Sequence, residues 1–265
     1  MKKEMNQFSD NINFHKHCLI TGSEELMRYS RDDYLSPITV KRYHELLDQF
    51  EKYRRTGKIL DIGCGIGLFL KEAKKRGWEV YGTEYTDKAM AMCKEIGINM
   101  QQGKLDPSLY EPEMFDVVTS FEVMEHINNP QEEVKNIKAV LRKGGLFYFT
   151  TPNFNSLERF YLKGKYNIVN YPEHLSYYTK KTANYLLTNN GFKKRKLTTT
   201  GLSLSRFKTS IGKKEEYISA ESSDEKLRQK LEKNGFTHFV KNVINGLLNI
   251  SGVGFSLKGW YEKQS

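Results

Sequence analysis

The sequence predicts an α/β fold, a doubly wound and mostly parallel sheet with helices on both faces. Three observations carry that prediction. Strand-like and helix-like stretches alternate from residue 58 onward, as successive βαβ crossovers require. The run FDVVTSF (115–121) reads as a continuous apolar strand of the kind buried on both faces. Between the first strand and its helix lies LDIGCGIGLF (60–69), which packs three glycines into five positions.

The elements follow in order along the chain. Residues 1–57 read as a helical N-terminal segment, with Tyr43, Leu46, Leu47 and Phe50 at helical spacing before Gly57. KILDI is the first strand, and LFLKEAKKRG a helix stopped by Gly77. WEVYGTE is the second strand; TDKAMAMCKEIG is a helix begun by Thr86 or Asp87 and ended by Gly97. A short third strand lies near INMQQ. After 115–121, PQEEVKNIKAVLRKGG places Val134, Ile137 and Leu141 on one helical face and ends at Gly144-Gly145. LFYFTTP is the fifth strand. A polar, tyrosine-rich loop (152–180), a helix TANYLLTNNG and a strand FKKRKLTTT come next. THFVKNVINGLLNI aligns Phe239, Val240, Val243, Ile244, Leu247 and Leu248 in one apolar stripe. That stripe suits a core or homodimer contact, or else a membrane surface or lipid-linked substrate. GVGFSLKGWYEK supplies the final strand.

Composition bounds the function. At 265 residues the chain suits one α/β domain with embellishments, or two small domains. It has no apolar run long enough to span a membrane and no apolar stretch near its N-terminus of the signal-peptide kind. Its three cysteines, Cys18, Cys64 and Cys93, are odd in number and far apart, so a reducing cytoplasm is expected. The formal charge of +10 admits nucleic acid, anionic lipid or an acidic substrate, and equally a lysine-rich solvated surface.

Glycines after a first strand let backbone amides approach a ligand, and the following helix N-terminus favours an anionic group. The dinucleotide fingerprint is not met, because the third glycine comes one residue early (Gly63, Gly65, Gly67) and Leu68 fills the sixth place. Asp61 beside the turn suits a cationic ammonium better than a pyrophosphate. Glu84, about 20 residues past the turn and ending the second strand, is placed to accept two ribose hydroxyls. Taken alone, it would be a solvated strand-end charge.

Together these residues resemble the class I S-adenosylmethionine-dependent methyltransferases, in their small-molecule branch. LDIGCGIG resembles the first motif of that family, and GTE its acidic second-strand end. FDVVTSFEVMEHI with VLRKGGLFYFTTPN resembles its fourth and fifth strands, and YPEHLSYYTKKTANYLLTNNGF its segment after the fifth. The branch includes ubiquinone-biosynthesis O-methyltransferases and methyltransferases of glycan and natural-product pathways. The resemblance implies a Rossmann-like, seven-stranded sheet whose last strand returns antiparallel to the sheet's edge. The resemblance covers roughly residues 40–200; with the element pattern it divides the chain into a cofactor-binding core over 58–204, a helical insert over 205–250 that has no match in the family, and a closing strand over 251–265.

By the same resemblance, S-adenosyl-L-methionine is the cofactor. Asp61, Gly63, Cys64, Gly65 and Gly67 would line its methionine and ribose, Glu84 would hold the ribose hydroxyls, and Tyr85 would pack on adenine. Leu105 and Asp106 would meet the adenine edge, with Lys104 standing where many relatives carry an acid. Ser120, Phe121 and Glu122 would face the amino group.

Methyl transfer needs alignment, exclusion of water and, for some acceptors, a base. His126 and His174 are the candidate bases, each with a purely structural role as its alternative. Tyr171, Tyr177 and Tyr178 are expected to line a small-molecule acceptor. O-methylation is expected, with N- or C-methylation of a sugar or lipid-linked intermediate, or cofactor binding without turnover, as alternatives. No metal site is expected, even at His15, His17 and Cys18, which lack a second Cys pair. Nucleic acid is not expected as substrate, because SFEVMEH stands where base methylases carry their base-gripping motif.

Overall fold

Seven strands form one sheet in the order β3-β2-β1-β4-β5-β7-β6. The computed structural model describes residues 37–166, 168–201 and 235–264, with backbone alone for 235–239 and 241. The His15, His17, Cys18 cluster, residues 205–234 of the expected insert and the Phe239 side chain lie outside the described residues. The strands are β1 (Lys58–Ile62), β2 (Glu79–Glu84), β3 (Asn99–Gln102), β4 (Phe115–Phe121), β5 (Leu141–Pro152), β6 (Phe192–Thr200) and β7 (Ser256–Lys263). Pairs among β1 to β5 are parallel, and β7 is antiparallel to both β5 and β6.

The apolar runs have a direct physical cause. Successive strand residues point to opposite faces, and both faces here are covered. Leu60, Val118, Phe147 and Tyr261 belong to one buried cluster. Their neighbours Ile59, Val117, Leu146 and Trp260 belong to the other. The final strand therefore does not sit at the sheet's edge as expected. It lies inside, between β5 and β6, because Trp260 and Tyr261 fill cores on both faces.

Helices α1 (Pro37–Phe50), α2 (Leu68–Lys75), α3 (Asp87–Glu95) and α4 (Pro130–Val140) pack around the first five strands. In α1 the expected stripe holds: Leu47 and Phe50 are fully buried, and Tyr43 sets its ring edge on Phe69 of α2. Asn129 caps α4 by accepting from the Glu132 N–H, with Pro130 in the first turn. Leu141, expected on that helix, instead opens β5 opposite Phe115.

The stretch 152–180 is less of a loop than its polarity suggests. It holds a short helix, α5 (Leu157–Leu162), capped by the Ser156 hydroxyl accepting from Arg159 N–H. Helix α6 (Lys180–Asn189) begins with a reciprocal Thr179–Thr182 capping box. Helix α7 (Gly235–Ser251) is held to β6 mainly by polar bonds. Asn249 Oδ1 accepts from Thr199 N–H at 3.0 Å, and Thr199 Oγ1 donates to the Leu248 carbonyl at 2.8 Å. Of its stripe, Leu248 is buried, whereas Val243, Ile244 and Leu247 are exposed, so a core role fails for those three. Among the described residues no helix is long and apolar enough to cross a membrane.

Candidate active site

Parallel crossovers bring the carboxyl ends of β1, β2, β4 and β5 to one edge. There the three glycines of the turn prove to do different work. All three have positive φ: +65° at Gly63, +55° at Gly65 and +75° at Gly67. A Cβ on Gly63 would come within 2.6 Å of Val123, and one on Gly67 within 2.5 Å of Ile98 and 2.9 Å of the Cys93 sulfur. Those two glycines allow close packing. A Cβ on Gly65 would meet nothing within 4 Å, so Gly65 alone of the three faces open space.

Cys64 contributes backbone, not side chain. Its Sγ lies against Gly82 of β2, where an added Cβ would approach it to 2.6 Å. A hydrogen bond with Cys93, then burial, pushes the Cys64 thiol well above the usual range. Its N–H donates to the Thr83 carbonyl at 3.0 Å, and the Gly63 N–H donates to Thr83 Oγ1 at 3.1 Å.

Two carboxylates close the turn. Glu84 is 3% exposed, which overturns the solvated-charge alternative. One of its oxygens accepts from Gly65 N–H at 3.1 Å; the other accepts from Tyr85 N–H, Thr86 N–H and the Thr86 hydroxyl at 2.7–3.0 Å. Asp61, also 3% exposed, accepts from Thr119 Oγ1 at 2.7 Å. Burial raises the Asp61 carboxyl to about 7, against the Thr119 bond, and the Glu84 charge adds to the rise. Neither makes an ion pair with a Lys or Arg among the described residues.

The remaining cofactor-side residues divide. Tyr85 is half-buried beside Gly103. Leu105 is fully buried, its side chain belonging to the core cluster. Asp106 turns its carboxylate onto Ser108 N–H and Oγ, at 2.9 and 2.7 Å, capping a 3-10 turn. Ser120 is buried, and Phe121 packs among Tyr43, Phe69 and Tyr148. Glu122 is exposed and held at φ +54°, a strained backbone for a non-glycine residue.

The tyrosine-rich segment is pinned across the end of β4. The Leu175 and Ser176 amides both donate to the Glu125 carbonyl, at 2.8 and 2.9 Å, and Ser176 Oγ donates to the Ile127 carbonyl. Of the expected substrate tyrosines, Tyr178 is 5% exposed and packs its ring in the core. Tyr177 packs against Phe154, and Tyr171 is exposed. The aromatic content that suggested a substrate lining largely serves packing.

His126 and His174, read from sequence as alternative bases, sit together with ring centroids 4.9 Å apart. His126 Nδ1 lies 2.8 Å from the Glu173 carbonyl, and His174 Nδ1 lies 2.7 Å from that of Ile168. A carbonyl oxygen only accepts, so each Nδ1 carries a proton, and in the neutral form of either ring the lone pair is then on Nε2. The Glu125 carboxylate stands beside them, its Oε2 accepting from Thr151 Oγ1 at 2.8 Å.

Sequence reasoning missed Thr119, Thr83 and Tyr43 as site residues and weighed Glu125 only together with its neighbour His126. Thr119 and Thr83 lie within apolar strands, and Tyr43 reads as one more apolar position of α1. The Tyr43 ring packs on Phe69 and Phe121, and its hydroxyl is raised to about 12 by burial first and the Asp61 charge second.

Comparison with known proteins agrees with this geometry. Residues 33–197, more than half of the chain, match the model of a methyltransferase domain. A ubiquinone biosynthesis O-methyltransferase of Coxiella burnetii is 31% identical over 103 residues, 37% of this chain and 44% of that protein. One from Azoarcus sp. is 33% identical over 105 residues, 37% of this chain and 45% of its own. The chain thus spans less than half the length of these curated relatives. Among solved structures, a methyltransferase from Archaeoglobus fulgidus superposes with TM-score 0.57 at 19% identity, covering 85% of this chain and 93% of that one. Phosphoethanolamine N-methyltransferase 2 of Haemonchus contortus, in complex with S-adenosyl-L-methionine, gives 0.61 at 17% identity, covering 98% and 60%. At those identities the likeness is one of fold. The match to the methyltransferase-domain model over more than half of the chain shows that it belongs to that family, the S-adenosylmethionine-dependent methyltransferases.

Proposed function

We propose that this protein methylates an oxygen of a small-molecule acceptor. One observation carries the reading: at one sheet edge, a glycine facing open space and two buried carboxylates lie on the same side of the fold as a paired imidazole cluster. The first part suits the cofactor. Open space at Gly65 admits a ligand against the backbone, and Asp61 and Glu84 offer buried acceptors for its ammonium and ribose hydroxyls. When bound, S-adenosylmethionine supplies an electrophilic methyl group on sulfonium.

The second part suits a hydroxyl acceptor. Glu125, His126 and His174 are groups on this edge able to draw away a hydroxyl proton, each neutral imidazole through Nε2. The segment 168–178 is clamped to residues 125–127 beside these groups. The names of the curated relatives, ubiquinone biosynthesis O-methyltransferases, support oxygen as the acceptor atom. In this reading residues 58–204 with 251–265 form the catalytic core, working in the cytoplasm as the cysteine usage suggests.

Isothermal titration tests the cofactor: S-adenosylhomocysteine binds, and NAD does not compete. Incubation with methyl-labelled cofactor and cell extract, followed by mass spectrometry, tests the acceptor. Label is expected on a hydroxyl of a small molecule; label in nucleic acid or protein overturns the reading. His174→Ala should lower turnover roughly 100-fold or more, leaving S-adenosylhomocysteine affinity within about twofold.

A further inference from the structure

We infer that Glu125, His126 and His174 form a binding site for a divalent first-row transition ion, on which the acceptor oxygen is held. The inference reverses the sequence-based expectation of no metal, and its catalytic part rests on the methyl-transfer reading above. One donor atom from each of the three residues lies within 4.8 Å of the others. Bonds of about 2.1 Å to a shared ion place neighbouring donors roughly 3 Å apart. Closing the site therefore needs movements on the order of an ångström.

Three further features point to metal and not to a bare histidine pair. Both Nδ1–H groups are spent on backbone carbonyls, Glu173 for His126 and Ile168 for His174. That arrangement fixes the tautomer and aims Nε2, and it is how metal-binding imidazoles are held. The Glu125 carboxylate is oriented in the same manner by Thr151 Oγ1. Finally, the ligand-bearing segments are fastened to each other, since the Glu125 carbonyl accepts both the Leu175 and Ser176 amides. Glu125 and His174 are 3% and 7% exposed, so the donors converge in a largely dry place. Two imidazoles and one carboxylate favour zinc or iron over magnesium or calcium.

An ion there lowers the pKa of a coordinated hydroxyl. With the ion bound, the three side chains act as its ligands and not as the base, so the acceptor O–H bond breaks with its proton passing to solvent water. The oxygen lone pair forms the new O–CH3 bond, and the S–CH3 electron pair returns to sulfur, leaving S-adenosylhomocysteine.

The test is Co2+ titration of the EDTA-treated full chain, followed by visible absorption. One equivalent of Co2+ should bind per chain, displaced by Zn2+. In the unsubstituted protein, the paramagnetic ion should broaden the His126 and His174 imidazole resonances. Glu125→Gln and His174→Gln should each weaken Co2+ binding at least about tenfold. Both should bind S-adenosylhomocysteine as the parent does. Absence of Co2+ binding by the parent chain overturns the inference, and so does broadening that spares both rings. Full Co2+ affinity in both variants places the ion elsewhere, for example at His15, His17 and Cys18, and overturns it as well. S-adenosylhomocysteine binding measured in EDTA stands apart from all of these outcomes, and its loss counts against the proposed function alone.

Discussion

The carboxylate of Glu84 accepts the backbone N–H of Gly65 at 3.1 Å, tying the end of β2 to the glycine that faces open space. Its second oxygen holds Tyr85 and Thr86. Glu84 thus shapes the turn as well as offering acceptors to a ribose. Glu84→Ala should weaken S-adenosylhomocysteine binding by about 1–3 kcal/mol, the range for charge-assisted bonds. It should also lower the urea midpoint, since the half-buried amides of Gly65, Tyr85 and Thr86 lose their acceptor. Calorimetry and a urea melt check both effects, and wild-type affinity in the variant would remove Glu84 from the ligand site.

The unequal glycines separate binding from folding. Gly65→Val puts a branched Cβ into the space a ligand needs, at a φ of +55° that L-residues resist. Cofactor binding should be abolished while the sheet survives. Gly67→Ala drives a methyl onto Ile98 and Cys93, so its main effect should be on stability, about 1–3 kcal/mol by overpacking. Thermal melts with and without S-adenosylhomocysteine distinguish the two. Normal binding by Gly65→Val would make the whole turn structural.

These contrasts mark how far the sequence was legible. The alternation of elements and the run 115–121 foretold the sheet, because burial on two covered faces favours apolar residues at successive positions, with Asp116 and Thr119 admitted where they are hydrogen-bonded. The place of β7 was hidden, since strand order depends on what Trp260 and Tyr261 touch and not on their spacing. At the site, Gly65 and Glu84 were readable because a turn after a strand restricts what can stand there. Gly63 and Gly67 looked identical to Gly65, and only Val123, Ile98 and Cys93, distant in sequence, give them another purpose. The tyrosines misled for the same reason: a buried Tyr178 and an exposed Tyr171 are one letter in the sequence. The pairing of His126 with His174 required the clamp between Glu125 and the 175–176 amides, which no local pattern announces.

Asp116 anchors the opposite edge of the sheet. It is fully buried and accepts from Arg55 N–H, Gly57 N–H and Arg142 Nε, at 2.7, 2.7 and 2.5 Å. Burial pushes its carboxyl upward, but Arg142 and the two amides outweigh that and hold it below the usual range. A folded pKa below the unfolded one contributes stability above the unfolded pKa, lost as pH falls through the folded value. Asp116→Ala should therefore cost about 3–5 kcal/mol at neutral pH. The difference between the two proteins should shrink in acid. Denaturation at neutral and acidic pH measures it, and a neutral substitution would deny Asp116 its anchoring role.

Asp61 has the opposite sign. Its carboxyl is raised from 3.8 to about 7, by burial first and by the Glu84 charge last, with the Thr119 bond opposing. Between those values the folded chain binds the extra proton, so this group's contribution to stability falls as pH rises toward 7. A ligand with a cationic ammonium favours the ionised form and must expel that proton. S-adenosylhomocysteine affinity should therefore decline as pH drops below about 7, by up to about tenfold per unit. Near pH 7, binding should release protons, visible as a dependence of the calorimetric enthalpy on buffer ionisation heat. Asp61→Asn should bind more weakly above pH 7, lose the proton release and flatten the pH profile. Its unliganded stability at alkaline pH should equal or exceed the parent's, because a buried charge has been removed. A parent profile that is flat across about two units around pH 7 would show that Asp61 does not meet the ammonium, and would leave Glu84 as the carboxylate on which the ligand depends.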